Sequence, residues 1–267
     1  FARPKKGGRC LIMVMLRESL LRQTSPIYVT LLPPDARRFN PIMHIENQDG
    51  VYTLTMPDGG AFNPDSLRAF SEALDTVLAD ESAEVLLITG QEKNFSQGLD
   101  LEYIMAHPDE AMQFVGDCMR VVGRLLYFPL PVAAMVNGHA FGLGAMITLA
   151  SDYKVMREDR GFFCLPEIDL GMTLTYRMNA LVCGKLSGTV LRDLLQTGQR
   201  VAGPEAEQMG IVDRTAPLES LRALALELVQ PMRGKDRRAL SGLKRGINID
   251  ILETIEGDVA DATIEGV

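Results

Sequence analysis

One glutamate and one glycine-rich turn have the residue types best suited to chemistry in this sequence. The turn NGHAFGLG (137–144) contains three glycines: Gly138, Gly142 and Gly144. Glycine lets the main chain take a positive φ or approach another chain closely, and the N–H groups at the start of a helix attract negative charge. Glu167 follows in the segment FFCLPEIDLG (162–171). A carboxylate can move a proton and such a turn can hold negative charge, so Glu167 and the turn are the candidates for acid/base chemistry in this sequence.

Two nucleotide-binding motifs are also rich in glycine, and neither fits this turn. A dinucleotide-binding fingerprint needs G-x-G-x-x-G, but the sixth position counted from Gly142 is Ile147. A P-loop needs a Gly-Lys-Ser/Thr ending, which the sequence lacks. The spacing of the glycines is equally compatible with a close-packed turn between a strand and a helix that binds no ligand. A Pro-Glu pair is likewise common in solvated turns without a catalytic role.

The segments on either side of the turn predict a parallel sheet with buried helices. The apolar run Pro131 to Val136 is typical of a buried parallel strand. The stretch after the turn predicts an apolar helix that ends near Asp152, and 85–90 predicts a second buried strand. Upstream, Asp49-Gly50 between alternating residues predicts a hairpin, and Asn63 before Pro64 predicts the start of a helix.

The rest of the chain adds crossover helices and a helical end. Residues 101–128 predict one helical stretch that Pro129 stops, and short strands are expected on both sides of residue 160. After Gly171 the pattern is mostly helical, and 210–216 predicts a loop or short strand. This order of elements is typical of the α/β class with crossover helices.

Three regions are predicted along the 267 residues. Residues 1–42 are expected to form a basic extension outside the folded core, with a signal-like or transit-like segment or upstream sequence as alternatives. Residues 43–200 are expected to form the α/β core, and residues 201–267 a helical C-terminal part.

Charge and composition exclude several classes of function. Residues 1–42 carry eight Lys/Arg against two acids, so the remaining 225 residues carry a net charge of −14. An acidic body argues against nucleic-acid binding. The three histidines and four cysteines show no metal-binding spacing, and no apolar run is long enough to span a membrane. We expect no metal and no cofactor.

Four segments in this order resemble the enoyl-CoA hydratase/isomerase superfamily, also called the crotonase superfamily. They are FSQGLDL (95–101), NGHAFGLGAMITLASD (137–152), PEIDLG (166–171) and QTGQRVAGPEAEQMGIVD (196–213). The resemblance covers residues 43–250 and is closest to plant-type Δ3,Δ2-enoyl-CoA isomerases. It implies a crotonase-like ββα-superhelix spiral core with a helical C-terminal trimerisation part. It also implies an acyl-CoA substrate, with coenzyme A as part of that substrate, and a homotrimer or a dimer of trimers.

The resemblance also assigns roles to residues. Glu167 is the catalytic acid/base, and the backbone N–H groups of Leu99 and Leu143 form an oxyanion hole, which lowers the barrier to enolate formation. The remaining substrate-binding positions are Gly98, Asp100, Tyr103, Gly142 and Met146. Lys93 and Lys244, the latter beside Arg245, are the candidates for the CoA phosphates.

The acids that are missing distinguish between reactions of the superfamily. Its hydratases use two glutamates, because one group must activate water while a proton is delivered to a substrate carbon. The first of these glutamates aligns with Met146 in this sequence. Its dienoyl-CoA isomerases use two further aspartates, at positions that hold Met146 and Thr175. One carboxylate suffices for a 1,3-proton shift, which predicts a Δ3,Δ2-enoyl-CoA isomerase of fatty-acid β-oxidation.

Alternatives to that reaction remain at this point. A hydratase, hydrolase or decarboxylase is possible if Asp169 or His139 is recruited, although we expect Asp169 to be structural and His139 to be packed or partly exposed. A non-catalytic acyl-CoA-binding protein is the third hypothesis. Because Ile264 to Val267 form no peroxisomal address, we expect the protein in the cytoplasm.

Overall fold

A computed structural model of the chain describes residues 43–57, 59–257 and 263–264. The predicted N-terminal extension, 1–42, lies outside these described residues. The strands are β1 His44–Gln48, β2 Val51–Thr55, β3 Ala61–Phe62, β4 Val85–Thr89, β5 Asn94–Ser96, β6 Gly98–Leu99, β7 Val132–Val136, β8 His139–Phe141, β9 Tyr153–Arg157, β10 Phe162–Cys164, β11 Val201–Ala202 and β12 Arg214–Ala216. The α-helices are α1 Pro64–Ala79, α2 Leu101–Ala106, α3 Ala111–Leu125, α4 Leu143–Ala150, α5 Tyr176–Lys185, α6 Gly188–Thr197, α7 Gly203–Gln208, α8 Leu221–Val229, α9 Arg237–Ile247 and α10 Ile249–Glu256.

The strands form three sheets. The largest has the order β1-β2-β4-β7-β9-β12, in which β1 and β2 are antiparallel and all other neighbours are parallel. A second sheet has the order β11-β10-β8-β5, and β3 pairs with β6 in the third. The predicted α/β class is confirmed.

Both faces are buried at the central strands of the large sheet, as expected for parallel strands. On β4, Leu86 and Ile88 belong to the main hydrophobic core, which includes residues of α1 and α3. The alternate residues Val85 and Leu87 belong to a second cluster, which Leu221 and its neighbours on α8 cover. Helices on both faces therefore hold β7, and the glycine-rich turn after it, at the centre of the fold.

Two elements near the N-terminal end match their local signals. The β1–β2 hairpin turns at Asp49-Gly50, where both residues have a positive φ. Helix α1 begins at Pro64, and the Asn63 side chain accepts a hydrogen bond from the Ser66 N–H at 3.0 Å. The Ser66 hydroxyl in turn accepts one from the Asn63 N–H at 2.8 Å. This capping box satisfies two N–H groups that the helix leaves unpaired, so both predictions are confirmed.

Two local predictions are wrong. Residues 101–128 form two helices instead of one, because Pro108 disfavours helical geometry at His107. The turn after β7 contains a strand, β8, which lies between β5 and β10 in the second sheet. Its three residues are too few to produce a periodic pattern.

In the C-terminal part, the short strand predicted within 210–216 is confirmed as β12, and β11 is a further strand that the sequence did not indicate. Strands β11 and β12 lie after residue 200, and they join the second sheet and the large sheet respectively. From Leu218 to Glu256 the chain is helical, with one-turn 3-10 helices at Leu218–Ser220 and Gln230–Met232. Among the described residues, no helix combines the length and apolar character needed to cross a membrane.

Candidate active site

A mostly apolar cavity of about 240 Å³ lies between the glycine-rich turn, helices α2 and α3, and the segment that follows β10. Five of the predicted site residues line it: Gly98, Leu99, Gly142, Leu143 and Glu167. The cavity thus brings together three stretches of chain that are separated in the sequence by more than 20 residues each.

A tight turn directly after β10 positions Glu167. The Pro166 carbonyl accepts hydrogen bonds from the N–H groups of Asp169 and Leu170, at 3.0 and 3.2 Å. The Glu167 carbonyl accepts one from the Met172 N–H at 2.8 Å. These bonds hold the backbone of Glu167 while its side chain lines the cavity.

The Glu167 carboxyl is in an unusual electrostatic setting. Its Oε2 atom is inaccessible to solvent and has no hydrogen-bond partner among the described residues. Burial raises the pKa of Glu167 to about 7, and a hydrogen bond with its own backbone opposes this shift only in part. A carboxyl with a pKa near neutrality can accept and return a proton at pH 7.

The glycine-rich turn presents the start of helix α4 to the cavity. Gly142 caps the helix with φ +50°, a value that L residues rarely adopt. Its N–H donates to the Cys164 carbonyl at 3.1 Å, and its own carbonyl accepts the first helical bond, from Met146. Leu143, the first helical residue, has an N–H group without an acceptor inside the helix. The turn therefore brings a residue whose N–H is not used inside the helix to the cavity that Glu167 also lines.

A second backbone donor comes from strand β6. The Asp100 N–H donates to Phe62 of β3 at 2.8 Å. Because successive N–H groups in an extended strand point to opposite sides, the Leu99 N–H points away from β3. Gly98, with φ +89°, packs so tightly against the turn that an added Cβ would lie 3.2 Å from the Leu143 nitrogen. The two backbone donors are therefore close neighbours.

Three residues predicted to bind substrate do not line the cavity in the described part of the chain. Asp100 caps helix α2 by accepting a hydrogen bond from the Tyr103 N–H at 3.0 Å. The Tyr103 hydroxyl donates to Glu110 at 3.0 Å, and its ring stacks on His107. Met146 is fully buried in the main core. Each has a structural role that local sequence does not reveal.

Lys244 is not available to a CoA phosphate, which corrects the prediction. Its side chain is only 5% exposed and forms an ion pair with Asp152 at 2.6 Å. The ammonium also donates to the carbonyls of Phe128 and Leu130, at 2.9 and 3.0 Å. These contacts hold helix α9 against the core. Lys93 is exposed on the loop before β5, so its predicted phosphate contact stays a prediction.

The other candidate groups are also outside the cavity. The His139 ring packs against Phe141 and Phe162, with centroids 5.1 and 5.6 Å away. Burial, and then the nearby positive charges led by Arg200, lower its pKa. Asp169 is exposed and lies beside Gly198. Within the described residues, no group of three His, Cys, Asp or Glu side chains is arranged to hold a metal ion.

Sequence reasoning missed several residues that form the wall opposite the turn. They come from α3, from the segment before α5, from α5 itself and from the C-terminal end: Ala111, Met112, Val115, Met172, Thr173, Thr175, Met178 and Thr263. No local pattern marked these residues as part of a site, and Thr175 was singled out only as the position of an aspartate in the dienoyl-CoA isomerases. Only long-range packing brings them to the same cavity.

Comparison with known proteins identifies the family of this chain. Enoyl-CoA delta isomerase 3 of Arabidopsis thaliana is 36% identical over 172 residues, which cover 62% of this chain and 72% of that protein. The peroxisomal enoyl-CoA delta isomerase 2 of the same plant is 31% identical over 64% of this chain and 76% of its own length. The predicted similarity to plant-type isomerases is confirmed.

Solved structures agree with the sequence comparison. An apo enoyl-CoA isomerase from Mycobacterium tuberculosis superposes with a TM-score of 0.74 at 25% identity, over 80% of this chain and 94% of that one. An enoyl-CoA hydratase/isomerase family protein from Pseudomonas syringae gives the same TM-score and identity, over 80% of this chain and 95% of that one. The predicted crotonase-like fold is confirmed. The enoyl-CoA hydratase/isomerase profile matches residues 46–259, and the chain belongs to this family of acyl-CoA enzymes.

Proposed function

We propose that this protein is a Δ3,Δ2-enoyl-CoA isomerase that uses Glu167 as its single acid/base. The Glu167 carboxylate removes a proton from C2 of a 3-enoyl-CoA thioester, and the electron pair delocalises into a dienolate. The protonated carboxyl then returns the proton at C4, and the double bond moves to C2–C3. No atom is gained or lost, and no cofactor is needed beyond the coenzyme A of the substrate.

The observation that carries the proposal is the set of polar groups at the cavity. Among the described residues that line it, Glu167 is the only ionisable side chain. Hydration of a 2-enoyl thioester needs a second group to activate water, and Met146, at the position of that acid in the hydratases, faces the core. A proton shift between two carbons of one substrate needs one group that can reach both.

The backbone donors supply the electrostatic part of this proposal. The Leu99 and Leu143 N–H groups are placed to bind the thioester oxygen, which becomes negative as the C2 proton leaves. Preorganised donors in a site that excludes water typically lower such a barrier by about 3 to 4 kcal/mol each. The apolar side chains around Glu167 raise its pKa by excluding water, which brings it closer to that of the carbon acid.

Exposed apolar residues on the C-terminal helices support a proposal on assembly. Leu243, Ile247 and Ile249, on the C-terminal helices, are 69%, 81% and 44% exposed in the single chain. We propose that these helices bury such residues in a homotrimer or a dimer of trimers. Light scattering would measure the mass of the assembly directly.

We also propose that the reaction belongs to fatty-acid β-oxidation in the cytoplasm, although similar proteins include peroxisomal isomerases.

Turnover of two substrates by three proteins tests the proposed reaction. A 3-enoyl-CoA and a 2-enoyl-CoA are incubated with wild type, Glu167→Gln and Asp169→Asn, and the products are separated by chromatography. We expect wild type and Asp169→Asn to convert the 3-enoyl thioester to its conjugated isomer. Glu167→Gln should lose about 10²–10⁴-fold in kcat, the usual contribution of a general acid/base. Hydration of the 2-enoyl thioester alone would contradict the single-base isomerase.

A further inference from the structure

A second apolar cavity, of about 300 Å³, lies beside the first. Glu167, Met172 and Thr173 line both cavities. The walls that belong to the second cavity alone include Ile168, Leu174, Leu195 and Ile264. The two cavities therefore share the residue to which the proposed function assigns the chemistry.

The C-terminal residues Thr263 and Ile264 contribute one side chain to each cavity. Thr263 forms an antiparallel bridge with Thr175, and the Ile264 N–H donates to the Leu174 carbonyl at 3.2 Å. Successive side chains of an extended segment point to opposite sides. Thr263 accordingly lines the first cavity and Ile264 the second. Both residues are half-buried.

The size of the first cavity limits the acyl chain that it holds. Ligand pockets commonly measure about 300–1,000 Å³, and the first cavity measures about 240 Å³. It accommodates the reacting carbons and a short chain, but the distal carbons of a long chain need further apolar space. Met172, which lines both cavities, has an unbranched side chain that changes rotamer readily. Met172 is therefore a flexible part of the wall that the two cavities share.

We propose that the second cavity receives the distal end of long acyl chains past Met172, and that Ile264 is a specificity-determining residue for chain length. This inference rests on the proposed function, since it takes the reacting carbons to lie beside Glu167. It makes the C-terminal end of the chain part of the substrate site, with fatty acyl groups as the ligand class.

The test fills the second cavity and leaves the first unchanged. Ile264→Trp places a large ring in the second cavity, and kcat/KM is measured with six-carbon and twelve-carbon 3-enoyl-CoA. We expect kcat/KM for the twelve-carbon substrate to fall at least tenfold in Ile264→Trp. The value of kcat/KM for the six-carbon substrate should stay within twofold of wild type. Leu218→Trp, a change of similar size at an exposed position outside both cavities and outside the proposed subunit contact, should leave both values unchanged.

The outcomes separate this inference from the proposed function. An unchanged ratio between the two chain lengths in Ile264→Trp would overturn the inference while isomerase activity stands. If wild type isomerises neither substrate, the proposed function fails. The affinities of wild type and Ile264→Trp for hexanoyl-CoA and dodecanoyl-CoA are then measured by calorimetry. A weaker affinity of Ile264→Trp for dodecanoyl-CoA alone supports the inference about the second cavity, and any other result overturns it. If Ile264→Trp does not fold, Ile264→Ala enlarges the same space and should raise the long-to-short ratio; no rise overturns the inference.

Discussion

The Gly142 N–H donates to the Cys164 carbonyl at 3.1 Å, and this bond joins the glycine-rich turn to the segment that carries Glu167. Leu143 follows Gly142 directly, and Glu167 lies three residues after Cys164. The bond therefore couples a backbone donor to the proposed base across 22 residues of chain. A displacement of either segment would change the distance between the group that removes the proton and the group that stabilises the resulting charge.

The Leu143 N–H can be removed without removing its helix. Leu143 is the first residue of α4, a position where proline is well tolerated because no intrahelical bond is lost. We expect Leu143→Pro to lower kcat about 10²–10³-fold, the usual effect of losing one oxyanion donor. Leu143→Ala keeps the N–H and is the matched control. Equal activities of the two variants, with circular dichroism showing both folded, would contradict a role for this N–H.

The pH dependence of activity should report the ionisation of Glu167. Burial raises the pKa of Glu167 to about 7, and only the carboxylate can remove the C2 proton. We expect kcat/KM to rise with pH below about 7 and to level off above it. The measurement is kcat/KM for a 3-enoyl-CoA between pH 5 and 8.5. A profile that is flat down to pH 5 would show that the base has an ordinary carboxyl pKa.

The same ionisation should make wild type less stable at higher pH. Between the unfolded value of 4.5 and the folded value of about 7, the folded state holds a proton that the unfolded state has released. The free energy of unfolding therefore falls as pH rises through this range, by about 3 kcal/mol from this group alone.

Urea unfolding of Glu167→Gln measures that contribution. Glutamine cannot ionise, so the variant should exceed wild type in stability by about 2 to 3 kcal/mol at pH 8. At pH 4.5 the two proteins should be nearly equal, because the wild-type carboxyl is then protonated in the folded state. A constant difference between the two pH values would contradict a raised pKa at Glu167.

Removing one partner of the buried pair Lys244–Asp152 should destabilise the fold strongly. Lys244→Met leaves the Asp152 carboxylate buried without its cation, and burial already raises the pKa of Asp152. We expect the free energy of unfolding to fall by about 3 to 5 kcal/mol. Arg245→Met is the control: its ion pair with Glu256 is about 40% exposed on both sides and should contribute about 1 kcal/mol or less.

Kinetics of Lys244→Met test whether this lysine contacts the CoA group. With the protein kept folded at low temperature, KM for an acyl-CoA should match wild type, since the ammonium is in the core. A large rise in KM without loss of stability would show that Lys244 contacts the CoA group.

Local sequence determined much of the framework. The capping residues Asn63 and Pro64 predicted the start of α1, the Asp49-Gly50 pair predicted the hairpin, and the glycines of the turn predicted a backbone approach. These signals act within a few residues, because caps, tight turns and positive φ depend on neighbouring backbone groups. Four segments, one of which contains Glu167, also indicated the family, because they occur together in a fixed order.

Tertiary structure decided which candidates reach the cavity. Met146 and Lys244 carry the same local signals whether they face a substrate or the core, and packing directs both inward. Strand β8 and the Thr263–Ile264 segment are stabilised by pairing with distant chain, so no period or cap marks them. The cavity is formed where segments far apart in sequence meet, and its lining depends on contacts that no single stretch of sequence contains.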